Sequence, residues 1–231
     1  MNPIANVLKI YMKDKMVWLF IPWIVVLSSF LVNYIIGIVS STTDGDPIYT
    51  GGVGSIYAYI LVAGMMTLTH TFPFALGMSV RRIDYFLGTG TLFVLISALF
   101  AVILYLFGLI EQWTEGWGVM LHFFHLPYLN DGSAIQQLLL NFILMMNMCF
   151  LGFVITSIFR RFGRFGLLVT AVIALIVISI LSYLCTYYGW WMPIFQWFGQ
   201  RTALETALWT VPLVIIYCLC SYAMLRKATI S

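Results

Sequence analysis

The chain has 231 residues, of which 62% are hydrophobic, 17% aromatic and only 8% charged, and its formal net charge is +3. Together with a mean hydropathy of +1.01, this composition excludes a soluble globular domain. It predicts an integral membrane protein.

The first predicted element is an amphipathic helix over 2–15. Its apolar side chains recur at spacings of three and four, which places them on one helical face and the polar side chains on the other. Its apolar face holds Ile4, Val7, Leu8, Tyr11 and Met12, and its polar face holds Asn6, Lys9 and Lys13. Basic residues are attracted to anionic headgroups, so we expect an interfacial elbow helix along the inner leaflet. The alternative is a simple extension of the first span into the cytoplasm.

Six apolar runs follow, each reaching the roughly 20 residues that an α-helix needs to cross a hydrocarbon core. They lie at about 16–39, 56–78, 87–110, 134–159, 165–188 and 206–225. The runs are continuous rather than alternating, which excludes a β-barrel. The expected fold class is an all-α polytopic membrane protein, a single transmembrane domain over 1–231 with six transmembrane helices.

The basic residues predict the orientation. Ten of the eleven lie on one side of the predicted spans, and Arg201 is the exception. Lys and Arg are retained on the cytoplasmic side of short loops. We therefore expect a multi-pass protein of the cell (plasma) membrane with both termini in the cytoplasm.

The predicted outer loops over 111–133 and 189–205 are rich in aromatic residues. The first carries Trp113, Trp117, Phe123, Phe124 and Tyr128, and the second carries Trp190, Trp191, Phe195, Trp197 and Phe198. Amphipathic rings are enriched at membrane interfaces, so one interpretation is an aromatic belt. The other is a gate or a substrate contact.

Motifs for catalysis and metal binding are missing from the sequence: there is no P-loop, no G-x-S-x-G, no H-E-x-x-H and no cysteine pair at zinc spacing. We expect no catalytic, cofactor-binding or metal site. No acidic residue lies near the middle of a predicted span, which argues against an ion-coupled carrier. His122 and His125 are three residues apart, so an interfacial helix would carry both on one face. They would serve there either as metal ligands or as polar anchors.

Several polar residues lie within or beside the predicted spans. His70 is expected to bond locally in a helix that Pro73 kinks, near the carbonyl of Thr69 that Pro73 leaves free, and the alternative is a proton relay. The remaining polar side chains are expected to hydrogen-bond between helices. They are Asn33, Gln136, Asn141 and Asn147.

The segment FALGMSVRRIDYFLG over 74–88 is a polar interruption between two apolar runs. Arg81 and Asp84 are predicted to pair at i, i+3, and Tyr85 and Phe86 to serve as aromatic anchors on a soluble partner. The alternative for Arg81 and its neighbour Arg82 is ordinary anchoring on the positive inside.

This segment resembles the coupling segment of ABC-2 type ABC transporter permeases. The residues that carry the resemblance are Pro73, Phe74, Gly77, Ser79, Arg81, Arg82, Tyr85, Phe86 and Gly88. Here Val80 separates Ser79 from the arginine pair, which departs from the family's pattern. An elbow helix before six spans is also typical of that family.

The resemblance implies a coupling helix over 77–88 that docks on a separate cytoplasmic ATPase, which would bind ATP and Mg. The coupling residues would be Gly77, Ser79, Arg81, Arg82, Asp84, Tyr85 and Phe86. It also implies a dimer of permeases, expected here as a homodimer in a complex with two ATPase subunits.

The expected function is therefore that of a permease subunit of an ATP-driven exporter, not itself an enzyme. Its substrates would be hydrophobic or amphipathic, with peptides favoured, and it would contact membrane lipids but no nucleic acid. One alternative is a non-transporting membrane sensor, immunity protein or scaffold that binds a cytoplasmic partner. Another is a membrane-embedded enzyme that uses His70, His122 and His125.

Overall fold

The computed structural model describes residues 7–9, 11, 15–41, 47–130 and 132–226. Its helices are α1 (Ile21–Ser41), α2 (Gly54–Gly77), α3 (Arg82–Trp113), α4 (Pro127–Asn130), α5 (Ala134–Tyr187), α6 (Trp191–Gly199), α7 (Ala203–Leu208) and α8 (Val211–Leu225). A wider helical turn, Met16–Phe20, leads into α1. Two short parallel strands, β1 (Ile48–Tyr49) and β2 (Leu121–His122), pair with each other.

Among the residues that the structure describes, five helical stretches are long and apolar enough to cross a membrane. They are Met16–Val39, Gly54–Gly77, Arg82–Trp113, Ala134–Tyr187 and Ala203–Leu225. These stretches contain the predicted spans to within one residue, because continuous apolar composition over about 20 residues suffices to form a helix in lipid. The chain is an all-α membrane protein.

The predicted fourth and fifth spans both fall within α5. A straight helix of its 54 residues would be about 81 Å long, against a hydrocarbon core of about 30 Å. The backbone leaves the helical region at Gly163, where φ is 70° and ψ is −167°. This break divides α5 into two parts, and a count of six spans stays a prediction.

The part of α5 before Gly163 is the centre of the bundle. Its buried side chains run from Leu140 to Ser157, and α2, α3 and α8 make their largest contacts with α5. The approach of α2 is very close, because a Cβ on Gly152 would overlap the carbonyl oxygen of Leu61. Small residues permit such backbone contact between membrane helices.

The part of α5 after Gly163 is different, because every side chain over 168–183 is exposed. The following helix, α6, is also largely exposed. Its aromatic residues therefore lie on the surface, as the belt interpretation of the second loop requires.

The loop after α3 folds back into the bundle around Glu111. This carboxylate is 0% exposed and accepts hydrogen bonds from the backbone nitrogens of Phe123, Phe124 and His125 at 2.8–3.1 Å. The indole Nε1 of Trp117 donates to it at 3.1 Å. A loop after a span is thus held by one side chain.

Phe123 and Phe124 do not belong to an interfacial belt, which corrects that interpretation for these two residues. Both are buried, and both pack their rings against Phe30 of α1. Phe124 also stacks on Phe107 of α3. The loop backbone is anchored at Glu111, so its rings are directed between the helices. Trp113, in contrast, is exposed.

Replacing Gly152 by alanine is expected to destabilise the fold by about 1–3 kcal/mol, because the new Cβ meets the backbone of α2 rather than a flexible side chain. Gly90→Ala in α3 is the matched control, since nothing lies within 4 Å of a Cβ there. Alanine in a helix is otherwise favoured over glycine by about 0.5–1 kcal/mol. Thermal unfolding in detergent should show a lower midpoint for Gly152→Ala only. Equal midpoints would contradict the close α2–α5 contact.

Replacing Glu111 by glutamine is expected to loosen the loop, because an amide cannot accept all of the bonds that the carboxylate accepts. Hydrogen bonds to a charged group contribute about 1.5–3 kcal/mol each, so the loss should be large. Limited proteolysis within 116–126 measures it. Glu115→Gln is the control, since Glu115 is exposed, and cleavage no faster in Glu111→Gln than in this control would refute the anchoring role.

Candidate partner-docking site

The corner between α2 and α3 contains most of the residues that the sequence predicts to contact a partner. α2 ends at Gly77 and is followed by a left-handed residue, Ser79, at φ 58°. The nitrogen of Val80 donates to the carbonyl of Ala75 at 3.1 Å, and that of Ser79 to Leu76 at 3.0 Å. These are the two bonds of a Schellman motif, which caps the helix end.

α3 begins at Arg82, with Arg81 in extended conformation before it. The connection is therefore a short turn, 78–81. The predicted separate coupling helix over 77–88 is wrong in this respect, because Arg82, Asp84, Tyr85, Phe86 and Gly88 already belong to the first turns of α3. The residues 82–88 continue directly into α3 and do not form a helix of their own.

Tyr85 lies at the centre of a buried group of hydroxyls, which we call the hydroxyl cluster: Tyr11, Thr67, Thr71, Tyr85 and Thr89. The Tyr11 hydroxyl donates to that of Tyr85 at 3.1 Å and lies 2.9 Å from Thr89 Oγ1. The Tyr85 hydroxyl donates to the Thr67 carbonyl at 3.2 Å and lies 2.8 Å from Thr71 Oγ1. The cluster joins the N-terminal segment to α2 and α3.

The prediction that Tyr85 is an exposed anchor is wrong, because its side chain is 0% exposed. Phe86 is half-buried, and its ring centroid lies 5.3 Å from that of Tyr222 and 6.2 Å from that of Phe153. The sequence reasoning named part of the exposed face of this corner but not Met78 and Ile83. Its exposed residues are Phe74, Gly77, Met78, Ser79, Arg81 and Ile83.

The N-terminal segment packs on this corner. Val7 and Tyr11 are buried, and Val7 lies so close to Gly88 that a Cβ there would be 2.7 Å from the Val7 Cβ. The predicted contact of this apolar face with the acyl boundary is therefore corrected for Val7 and Tyr11, which contact protein. Leu8 is half-buried and Lys9 exposed.

Within the predicted elbow, Ile4, Met12 and Lys13 lie outside the described residues.

Burial raises the pKa of the Tyr11 phenol. Tyr11 therefore stays a neutral donor in the hydroxyl cluster at any ordinary pH.

Arg82 connects the corner to the end of the last helix. Its Nη1 donates to the carbonyl of Arg226 at 2.8 Å and to that of Leu225 at 3.2 Å. The last carbonyls of a helix have no partner within it, so a cation there satisfies them and interacts favourably with the helix dipole.

The predicted Arg81–Asp84 pair does not form. Among the described residues, Arg201 pairs with Glu205 at 3.5 Å, and the imidazole Nδ1 of His122 lies 3.6 Å from a Glu111 carboxylate oxygen. Asp84 lies in the first turn of α3, where a negative charge is favourable by itself.

Pro73 leaves the carbonyl of Thr69 without its helical partner, as the sequence predicts. The Arg160 guanidinium supplies the missing donor, with Nη2 at 2.8 Å from that oxygen. Arg160 comes from α5, so this bond ties α2 to α5 at the same end of the bundle. His70 is exposed beside it, and no hydrogen bond joins it to the described neighbouring threonines.

Two asparagines link helices, as predicted. Asn141 accepts a bond from the Tyr57 hydroxyl, and Asn147 donates to Thr210 Oγ1 at 2.8 Å. Asn33 does not link helices, since its amide donates to Ser29 of its own helix. Gln136 is at the N-terminal cap of α5, where it accepts from the Ser133 nitrogen at 2.8 Å.

The two histidines of the outer loop do not share a helical face, which corrects that expectation. His122 lies in β2, with Nδ1 3.6 Å from Glu111 and its ring stacked on Tyr49. His125 follows the bend at 123–124. Among the described residues, no group of three or more potential metal ligands comes together.

The exposed face of the corner is a hydrogen-bonded, partly apolar surface that carries the cationic side chain of Arg81. Comparisons of the chain with protein-family models, with curated proteins and with solved structures gave no match.

Replacing Arg160 by methionine is expected to destabilise the bundle by about 1.5–3 kcal/mol, because the Thr69 carbonyl loses a charged donor. In a Pro73→Ala background the same change should cost less, since the introduced alanine supplies the helical N–H instead. A double-mutant cycle of thermal unfolding in detergent measures the difference. Strictly additive effects would show that Arg160 does not substitute for the missing N–H.

Proposed function

We propose that the chain is the permease subunit of an ATP-driven ABC exporter, with a separate cytoplasmic ATPase that docks on the turn 78–81. The observation that carries the proposal is the construction of this corner. An exposed turn with Met78 and Arg81 at its surface stands on a buried, hydrogen-bonded support. In this proposal the arginine-rich end of the bundle is cytoplasmic.

The support makes the corner suitable for transmitting force. The hydroxyl cluster joins it to the N-terminal segment, Arg82 joins it to the end of α8, and Arg160 joins α2 to α5. A displacement of the turn would therefore move several membrane helices together. A turn held only by its own backbone would deform instead.

A second copy of the chain belongs to the proposal, with six spans in each copy. The part of α5 after Gly163 supports it, because the side chains over 168–183 are exposed to all sides and contact little of the chain. The break at Gly163 supports the division of α5 into the fourth and fifth spans.

The proposed cargo is hydrophobic or amphipathic, with peptides favoured. The support is the composition, since 12 methionines and 17% aromatic residues provide adaptable apolar walls. The chain itself would not hydrolyse ATP. ATP and Mg would be bound by the partner.

Arg81→Glu is expected to abolish co-purification of a P-loop ATPase from mild detergent, because it reverses the charge at the centre of the docking surface. Arg164→Glu is the matched control, with the same charge change at an exposed arginine outside this corner. Tyr85→Phe, which leaves the exposed surface unchanged, should retain the ATPase. Substrate-stimulated ATP hydrolysis in reconstituted vesicles should follow the same order.

Two results would overturn the proposal. If no P-loop ATPase co-purifies with the unchanged chain, the alternative of a non-transporting sensor, immunity protein or scaffold is favoured. If Arg81→Glu retains the ATPase as well as Arg164→Glu does, docking does not occur on this turn.

A further inference from the structure

An apolar groove runs between the first turns of α3 and the last turns of α8. It has a volume of about 200 Å³ and is lined by Ile83, Phe86, Leu87, Cys218, Leu219 and Tyr222. Three of these side chains, Ile83, Leu87 and Leu219, are exposed by 46%, 47% and 62%. The groove thus opens to the surface within two stretches that are apolar enough to span the membrane.

Two arginines stand at one end of this groove. Arg82 directly precedes Ile83, and Arg226 follows Tyr222 by one helical turn. The hydrogen bonds from Arg82 Nη1 to the carbonyls of Leu225 and Arg226 place the two residues together. Leu87 and Cys218 lie at the opposite end, one turn further from the start of α3 and from the end of α8.

The groove is therefore amphiphilic along its length, positive at the membrane surface and apolar below. We propose that it binds one anionic phospholipid of the adjacent leaflet. The phosphate would lie at Arg82 and Arg226, and one acyl chain would lie against Phe86, Leu219 and Tyr222. This inference needs only that α3 and α8 span the bilayer, and it does not depend on an ATPase.

Charge complementarity decides the class of occupant. A zwitterionic lipid would gain little from the two guanidinium groups, whereas each basic residue near the surface contributes about 1 kcal/mol to binding of anionic lipid. Asp84 is the acidic residue nearest in sequence. It shares the face of α3 that carries Gly88, which packs on Val7, so it lies away from the groove.

Photo-crosslinking of the full chain in vesicles tests the proposal. The vesicles consist of phosphatidylcholine with a trace of either photoactivatable phosphatidylglycerol or photoactivatable phosphatidylcholine, each with the reactive group on its acyl chain. Peptides that contain 83–87 and 218–222 are then quantified by mass spectrometry. We expect labelling by phosphatidylglycerol to exceed that by phosphatidylcholine at least about fivefold, as one arginine near the surface already provides.

Arg226→Gln is the main variant, because only the backbone of Arg226 is bonded within the described fold and its side chain is exposed. It should reduce phosphatidylglycerol labelling about fivefold. Arg164→Gln removes a charge elsewhere and should leave labelling unchanged. Arg82→Gln is a second variant. Its lipid labelling is compared with that of the unchanged chain only if the two have the same thermal unfolding midpoint.

Leu219→Trp tests the apolar part, since the larger side chain fills the groove and should reduce labelling by phosphatidylglycerol. Leu213→Trp, at an exposed position near the other end of α8, is its control. Equal labelling by the two lipids would show ordinary annular lipid and overturn the proposal. Absence of labelling together with crosslinks between two chains at this groove would show a second copy as its occupant, with the same consequence.

Discussion

The close contact between α2 and the first part of α5 is the constraint on which the rest of the bundle depends. In lipid there is no hydrophobic driving force between helices, so association depends on packing and on hydrogen bonds. Gly64 and Gly152 allow the two backbones to touch, and the Thr156 hydroxyl donates to the Met65 carbonyl across this contact at 3.1 Å. The remaining faces of α5 are then positioned for α3 and α8. A bulkier residue at Gly152 would separate the helix pair that the others use as support.

Three charged side chains answer a second constraint, that backbone groups in a membrane must be satisfied within the protein. Backbone groups lack helical partners at Pro73, at the end of α8 and in the loop after α3. Arg160 and Arg82 bond the first two places from distant parts of the chain, and Glu111 bonds the loop from the preceding helix. Charged side chains are rare in this chain, at 8% of the residues, and several of the described ones serve the backbone.

The sequence predicts the long apolar helices well and the buried contacts poorly, for a physical reason. Apolar composition over about 20 residues is a local property, and it suffices to place a helix in lipid. The burial of Tyr85 is not local, because it depends on Val7 and Tyr11 packing over the face that carries Gly88. A contact of this kind joins segments whose proximity no sequence pattern records.

Two charged residues, Glu111 and Arg160, show which contacts a sequence pattern can indicate and which it cannot. The sequence analysis places Glu111 in a loop, whereas it lies in the last turn of α3. Its position directly after an apolar run is the signal that could have identified it. The sequence predicts that Pro73 leaves the Thr69 carbonyl without a backbone donor. It does not predict that Arg160 supplies one. Arg160 and Thr69 are 91 residues apart, and that separation carries no information about their proximity in the fold.

The burial of Tyr85 also changes where a docked partner would act. An exposed ring would hold a partner directly, whereas the buried phenol links the turn to α2 and to Tyr11 behind it. A displacement of Met78 and Arg81 by the partner would then reach the membrane helices through the hydroxyl cluster rather than through an aromatic anchor. The helices bonded to this cluster and to Arg160 would respond as one body. The part of α5 beyond Gly163 has exposed side chains over 168–183, so the backbone through this glycine is its main connection to that body.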